Sequence, residues 1–116
     1  MKDLQNLVKE IEDELKEFDF VDKSWLRGKV TKEKAVILFK PREGASEGKF
    51  REFCGFLSDK TYIDVILSIN QLDELYDYSF EIKICCEDGK ISEKEERVKR
   101  ALTDLKKYIQ NYKLQK

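Results

Sequence analysis

The spacing of apolar residues changes from a helical period to a strand period and back again, and this change restricts the fold more than any other feature. Near the start, apolar residues recur every three or four positions, which predicts an amphipathic helix over about 3–19. The same period returns over about 92–113, where Ser92 and Glu95 have the spacing of a capping box. A shorter stretch over about 46–57 also has the helical period.

Four segments between these helices are typical of strands, at about 24–30, 35–39, 61–69 and 80–87. The second is apolar without a break, which predicts a strand buried on both faces, whereas the fourth alternates and predicts one exposed face. The sequence therefore predicts one α+β domain over residues 1–116 with the order α-ββ-α-ββ-α. Its expected architecture is a two-layer, four-stranded, mostly antiparallel sheet with helices on one face.

The absence of histidine removes several chemistries. The chain of 116 residues contains no His and three Cys. A Ser-His-Asp or Cys-His nucleophile needs an imidazole base, and three Cys cannot complete a Cys₄ zinc site. We expect no catalytic residues, no cofactor and no metal, so the chain is interpreted as not an enzyme. An enzyme that uses Asp, Glu, Lys or Cys is the third alternative, and it would need a deep pocket containing Asp64 or Cys54.

The Cys residues and the lengths of the apolar runs indicate in which cellular compartment we expect the protein. Cys54, Cys85 and Cys86 form no Cys-x-x-Cys pair, so we interpret them as reduced thiols of a cytoplasmic protein. No apolar run approaches the ~20 residues of a membrane span, so no membrane partner is expected. The segment Gly44–Lys49 falls one residue short of the phosphate-loop pattern and is interpreted as a plain connection.

The net charge of −1 conceals segments of opposite sign. Residues 1–23 and 61–91 are acidic, whereas residues 24–60 and 92–116 are basic. One interpretation is that the acidic first helix lies beside the basic last helix, so that their charges offset each other. The other is that the basic segments form a face for an anionic partner.

If the basic segments form such a face, the anionic partner would be nucleic acid, bound by a basic hairpin and the last helix. Trp25 can stack on a base beside Arg27 and Lys29, as in proteins that bind single strands, although a core position for Trp25 is the stronger interpretation. The sequence pI of 5.7 is low for a nucleic-acid-binding domain. The candidate residues are Trp25, Arg27, Lys29, Lys40, Arg42, Lys49, Arg97 and Arg100.

The leading hypothesis is a small, non-catalytic binding module that acts through a protein partner or through self-association. An acidic stretch over residues 72–78 mixes carboxylates with large apolar and aromatic side chains, and interfaces favour aromatic anchors. The same tyrosines can instead cover the edge of the core. The candidate partner-binding residues are Leu72, Leu75, Tyr76 and Tyr78.

Overall fold

The computed structural model describes residues 2–31, 34–44, 47–59, 65–71, 78–85 and 91–115. It belongs to the α+β class, as expected, and its described strands pair in antiparallel fashion. The helices and strands are α1 (Lys2–Lys16), β1 (Arg27–Val30), β2 (Lys34–Phe39), α2 (Glu47–Asp59), β3 (Val65–Gln71), β4 (Tyr78–Cys85) and α3 (Ile91–Gln115).

The described strands lie in the order β1-β2-β4-β3, so that β1 and β3 are the edges of the sheet. Arg27 pairs with Leu38 between β1 and β2, and Leu38 pairs with Glu81 between β2 and β4. Because both neighbours of β4 run antiparallel to it, β2 and β3 run in the same direction. Helix α2, between β2 and β3 in the chain, returns the chain to the end of the sheet at which β2 begins, so that β3 can run parallel to β2.

One face of the sheet is covered by the helices. Ala35, Ile37 and Phe39 of β2 and Ile82 and Ile84 of β4 are buried on that face. An aromatic cluster joins the covered face to α2 and α3, and its rings are those of Phe18, Phe20, Phe39, Phe50, Phe53 and Tyr112.

Helix α3 docks along its middle and its C-terminal half. Its buried residues extend from Val98 to Tyr112, and Leu114, close to its end, is 84% exposed. The sequence left open whether this helix docks or projects, and the buried stripe shows that it docks. None of the helices in the described part of the chain is long and apolar enough to cross a membrane.

Two predictions about the first hairpin are wrong. The apolar run in β2 is buried on one face only, since Val36 and Leu38 are half-buried while their neighbours are buried. The reason is that the described helices all lie on the other side of the sheet. Trp25 is not in a strand either, because it lies in a turn and β1 begins only at Arg27.

Gly28 allows α1 to lie close to β1. A Cβ atom at this position would be 2.3 Å from Cγ1 of Val8 and 2.5 Å from Oε1 of Glu12. These distances are far below van der Waals contact, so only glycine fits without a shift of these two side chains or of the helix that carries them.

Candidate functional site

The face of the sheet opposite the helices combines apolar and basic side chains. We call it the open face, and its described members are Arg27, Lys29, Lys34, Val36, Leu38, Glu81 and Lys83. Cross-strand pairing places these residues on one side, because directly opposed residues in an antiparallel sheet share a face. Four of them are cations and one is a carboxylate.

The two aliphatic residues occupy the middle of the open face. Val36 lies between Lys29 and Lys83, and Leu38 lies between Arg27 and Glu81. A groove of about 410 Å³ passes over them towards the end of the hairpin, where Lys34 contributes to its lining. The surface is therefore a half-exposed apolar strip with two cations of β1 on one side and Lys83 and Glu81 of β4 on the other.

Trp25 lies beside this strip with two cations over its indole ring. The guanidinium carbon of Arg27 is 5.3 Å from the ring centroid, and the ammonium nitrogen of Lys40 is 4.7 Å from it. These are cation–π distances. Nε1 of Trp25 is buried, and no group in the described part of the chain accepts its hydrogen.

A turn stabilised by Asp22 holds Trp25 at this position. Oδ1 of Asp22 accepts a hydrogen bond from the hydroxyl of Ser24 at 2.6 Å and another from its backbone N–H at 3.0 Å. The hydroxyl of Ser24 contributes most to lowering the pKa of Asp22, and Lys40 at 3.9 Å contributes further. The carboxylate of Asp22 thus stabilises the turn and helps to hold Lys40 over the indole ring.

Ion pairs connect α1 and the turn after it to α3, on the side of the sheet opposite the open face. Lys106 of α3 is 3.0 Å from Glu10 of α1, and Lys113 bonds to both Glu14 and Glu17. The acidic first helix thus lies beside the basic last helix, as one interpretation of the sequence expected. The bond from Lys113 contributes most to lowering the pKa of Glu14.

The structure gathers only some of the candidate residues for nucleic-acid binding. Trp25, Arg27, Lys29 and Lys40 lie at or beside the open face. Nε of Arg42 donates to the carbonyl of Asp19 at 2.6 Å, which fixes this side chain to the turn that follows α1. Lys49 is on α2, and Arg97 and Arg100 are on α3, so these three belong to the helix layer on the opposite side of the sheet.

The candidate residues for protein binding are mostly outside the described part of the chain. This applies to Leu72, Leu75 and Tyr76, and also to Asp64. Tyr78 is the first residue of β4, and only its backbone is described. These expectations stay predictions.

Cys54 does not have the environment of a reactive thiol. It is 7% exposed in the core, and burial raises its pKa to about 12. A thiol of that pKa is almost entirely protonated at neutral pH and is a poor nucleophile. Within the described ranges, no three His, Cys, Asp or Glu side chains are grouped so that they could hold a metal ion.

The sequence analysis missed most of the open face. Val36, Leu38, Glu81 and Lys83 were not singled out as site residues. The signal that points to them is the unbroken apolar run in β2 with a lysine before and after it. Such a run fits a strand that is buried on both faces, and it also fits a strand with one buried face and one apolar face available to a binding partner. Only the position of the helices in the folded protein distinguishes these two cases.

The chain was compared with protein-family models, with curated proteins and with solved structures, and none of them matches it.

Proposed function

We propose that this protein is a non-catalytic binding module whose open face binds an acidic protein surface. The observation that carries the proposal is the half-exposed pair Val36 and Leu38, which shares a groove with the basic side chains of Arg27, Lys29 and Lys34. An apolar centre with a charged rim is the usual composition of a protein interface.

Charge complementarity supports an acidic partner. The open face carries four cations and one carboxylate, although the whole chain has a net charge of −1. A basic face on such a molecule steers an acidic partner towards this side. The aliphatic pair then supplies the apolar contact that a purely ionic encounter lacks.

The single Trp makes a direct binding assay possible, because it lies beside the open face. The probe is a synthetic amphipathic peptide with Leu and Glu on one helical face, titrated into the full chain while Trp25 fluorescence is recorded. We expect a saturable change in emission whose midpoint moves to higher peptide concentration as salt is added.

Two variants and a control locate the binding surface. The double variant Arg27→Glu/Lys29→Glu should weaken binding of the peptide about tenfold or more, since it reverses two adjacent charges. Leu38→Asn should also weaken it while leaving the charges intact. The control is Lys107→Glu, which reverses an exposed charge on α3 in the helix layer. Equal binding by the double variant and the control would refute the proposal.

A second candidate function, binding of single-stranded nucleic acid, is favoured by one observation. The indole of Trp25 lies against Arg27 and Lys40. Proteins that bind single strands use aromatic side chains to stack on the bases and basic side chains to contact the phosphates. Its test is titration of a thymidine oligonucleotide at low salt with Lys40→Glu as the variant. Tighter binding of the oligonucleotide than of the acidic peptide, lost in Lys40→Glu, would replace the first proposal with this one.

A further inference from the structure

The outer edge of β1 has backbone groups that no described strand pairs with. β1 is at the end of the sheet order, and among the described strands only β2 pairs with it. Thr31 N–H donates to the carbonyl of Lys34 at 2.7 Å, which identifies residues 31 and 34 as a hydrogen-bonded pair.

The alternation of an antiparallel ladder then gives the direction in which the backbone N–H and C=O groups of each residue in β1 point. Hydrogen-bonded and non-hydrogen-bonded pairs alternate, so Lys29 and Arg27 bond to β2. Gly28 and Val30 are the residues between them, and their N–H and C=O groups point away from β2. Two N–H donors and two C=O acceptors thus lie along the free edge, with the spacing that hydrogen bonds to an additional strand require.

A groove runs beside this edge on the side of the helices. Its volume is about 500 Å³, and it is lined by Gln5, Lys9 and Glu12 of α1, by residues 28–30 of β1 and by Thr31. Gly28 lies at the floor of this groove, where Val8 and Glu12 of α1 approach the strand most closely. Side chains of an added strand that face the helices have room there.

We infer that the free edge of β1 pairs with an extended, acidic segment of a protein partner, which adds a strand to the sheet. Addition of a strand uses main-chain hydrogen bonds for affinity and alternate side chains for specificity. On the open face, the residues next to the added strand are Arg27 and Lys29, both exposed, so acidic side chains at every second position of the partner would lie beside them. The intervening positions enter the groove next to Gly28, and small side chains fit there.

Pairing of β1 with a second copy of itself is disfavoured. The two-fold arrangement that satisfies both Gly28 and Val30 has its axis at Lys29, which then lies opposite Lys29 of the second copy. Like charges directly opposite each other destabilise a ladder. An acidic partner has the opposite effect at the same position.

The inference rests on the proposed function in one respect, namely that the partner is an acidic protein, and the experiment separates the two. The probe is a peptide of alternating Glu and Thr, added to the full chain, with amide hydrogen exchange followed by NMR. We expect the amides of Gly28 and Val30 to exchange about a hundredfold more slowly at a peptide concentration of roughly 100 Kd. The amide of Lys29, already bonded to β2, should change less.

The matched control is the same peptide N-methylated at every second residue, on the edge that faces β1. It keeps the charges but cannot form the ladder, so we expect it to bind at least about tenfold more weakly. Equal binding of both peptides, or unchanged exchange at Gly28 and Val30 with bound peptide, would refute strand addition and leave the proposed function standing. Binding of neither this peptide nor the helical probe would refute both. Dimerisation of the chain alone, seen by light scattering together with slow exchange at Gly28 and Val30, would replace the acidic partner by a second copy.

Discussion

At the scale of single residues, Gly28 and Gly55 show that the same residue type has opposite roles in two places. Gly28 lies under α1, where any side chain would meet Val8 and Glu12. Gly55 lies on the exposed side of α2, and a Cβ atom there would have nothing within 4 Å. The first glycine is required by packing, whereas the second only lowers the stability of its helix.

This contrast gives a paired prediction. Gly28→Ala should lower the free energy of unfolding by about 1–3 kcal/mol, because the added methyl group overpacks the contact between α1 and β1. Gly55→Ala should raise it by about 0.5–1 kcal/mol, because alanine restricts the unfolded chain and favours the helix. Urea denaturation of both variants measures the two changes, and equal effects would contradict the close approach of α1 to β1.

Burial of Cys54 gives a second prediction, on alkaline pH. Its pKa is raised to about 12 in the folded state, so the unfolded chain ionises this thiol first as the pH rises. Stability from the neutral thiol is complete below pH 9.0, the ordinary value, and is lost as the pH rises towards 12. The loss is up to about 1.4 kcal/mol per pH unit.

The measurement compares urea unfolding at pH 8 and pH 10 for the natural chain and for Cys54→Ala. Lysines and tyrosines titrate in both proteins, so the difference between the two pH effects isolates Cys54. A Cys54→Ala variant that loses as much stability as the natural chain would show that this thiol is not buried in a neutral form.

At the scale of elements, the contact between α1 and α3 combines an apolar stripe with a row of ion pairs. Glu14 is at its centre, with Lys113 and Gln110 both donating to its carboxylate. Glu14 and Lys113 are each about one-fifth exposed. The order of the pairs along both helices shows that α1 and α3 run in the same direction here, since Glu10 meets Lys106 and Glu17 meets Lys113.

Removing the charge of Glu14 should weaken this contact. We expect Glu14→Gln to cost about 0.5–1 kcal/mol at neutral pH, within the range of partly exposed ion pairs. Because the pKa of Glu14 is lowered from 4.5, its advantage over the variant is present above that pH and disappears as the pH falls through the folded pKa. High salt should reduce the difference.

The control for this prediction is Asp13→Asn, an exposed acid on the same helix. Thermal unfolding of both variants at pH 7 and pH 3 tests the expectation. If Asp13→Asn destabilises the chain as much as Glu14→Gln, general charge on α1, and not the bonds to Lys113 and Gln110, accounts for the effect.

At the scale of the whole molecule, the covered face and the open face of the sheet divide the protein into two regions with different charge arrangements. Acids and bases pair between α1 and α3 on one side, whereas cations dominate the open face on the other. Adjacent residues of β2 therefore contribute to different properties. Ile37 is 1% exposed against the helices, and Leu38 belongs to the open face.

Alanine substitutions at these two neighbours test the one-sided architecture. Ile37→Ala should lower the free energy of unfolding by about 2–5 kcal/mol, because it leaves a cavity in the core. Leu38→Ala should cost about 1 kcal/mol or less, because much of its surface is already in water. Denaturant titrations give both values. Similar large losses would mean that the second face is covered as well, as the unbroken apolar run alone suggests.

The amino-acid sequence determined the α+β class and the approximate positions of the described elements. It could do so because helix stripes and strand runs depend on local spacing: the stripe from Leu4 to Leu15 and the alternation at Ile82 and Ile84 both confirm this. Only the tertiary structure decided which face of β2 is covered, where the indole of Trp25 lies and which cations are already paired. Those properties depend on contacts between distant segments, such as Lys113 with Glu14 and Lys40 with Trp25, and no local pattern records them.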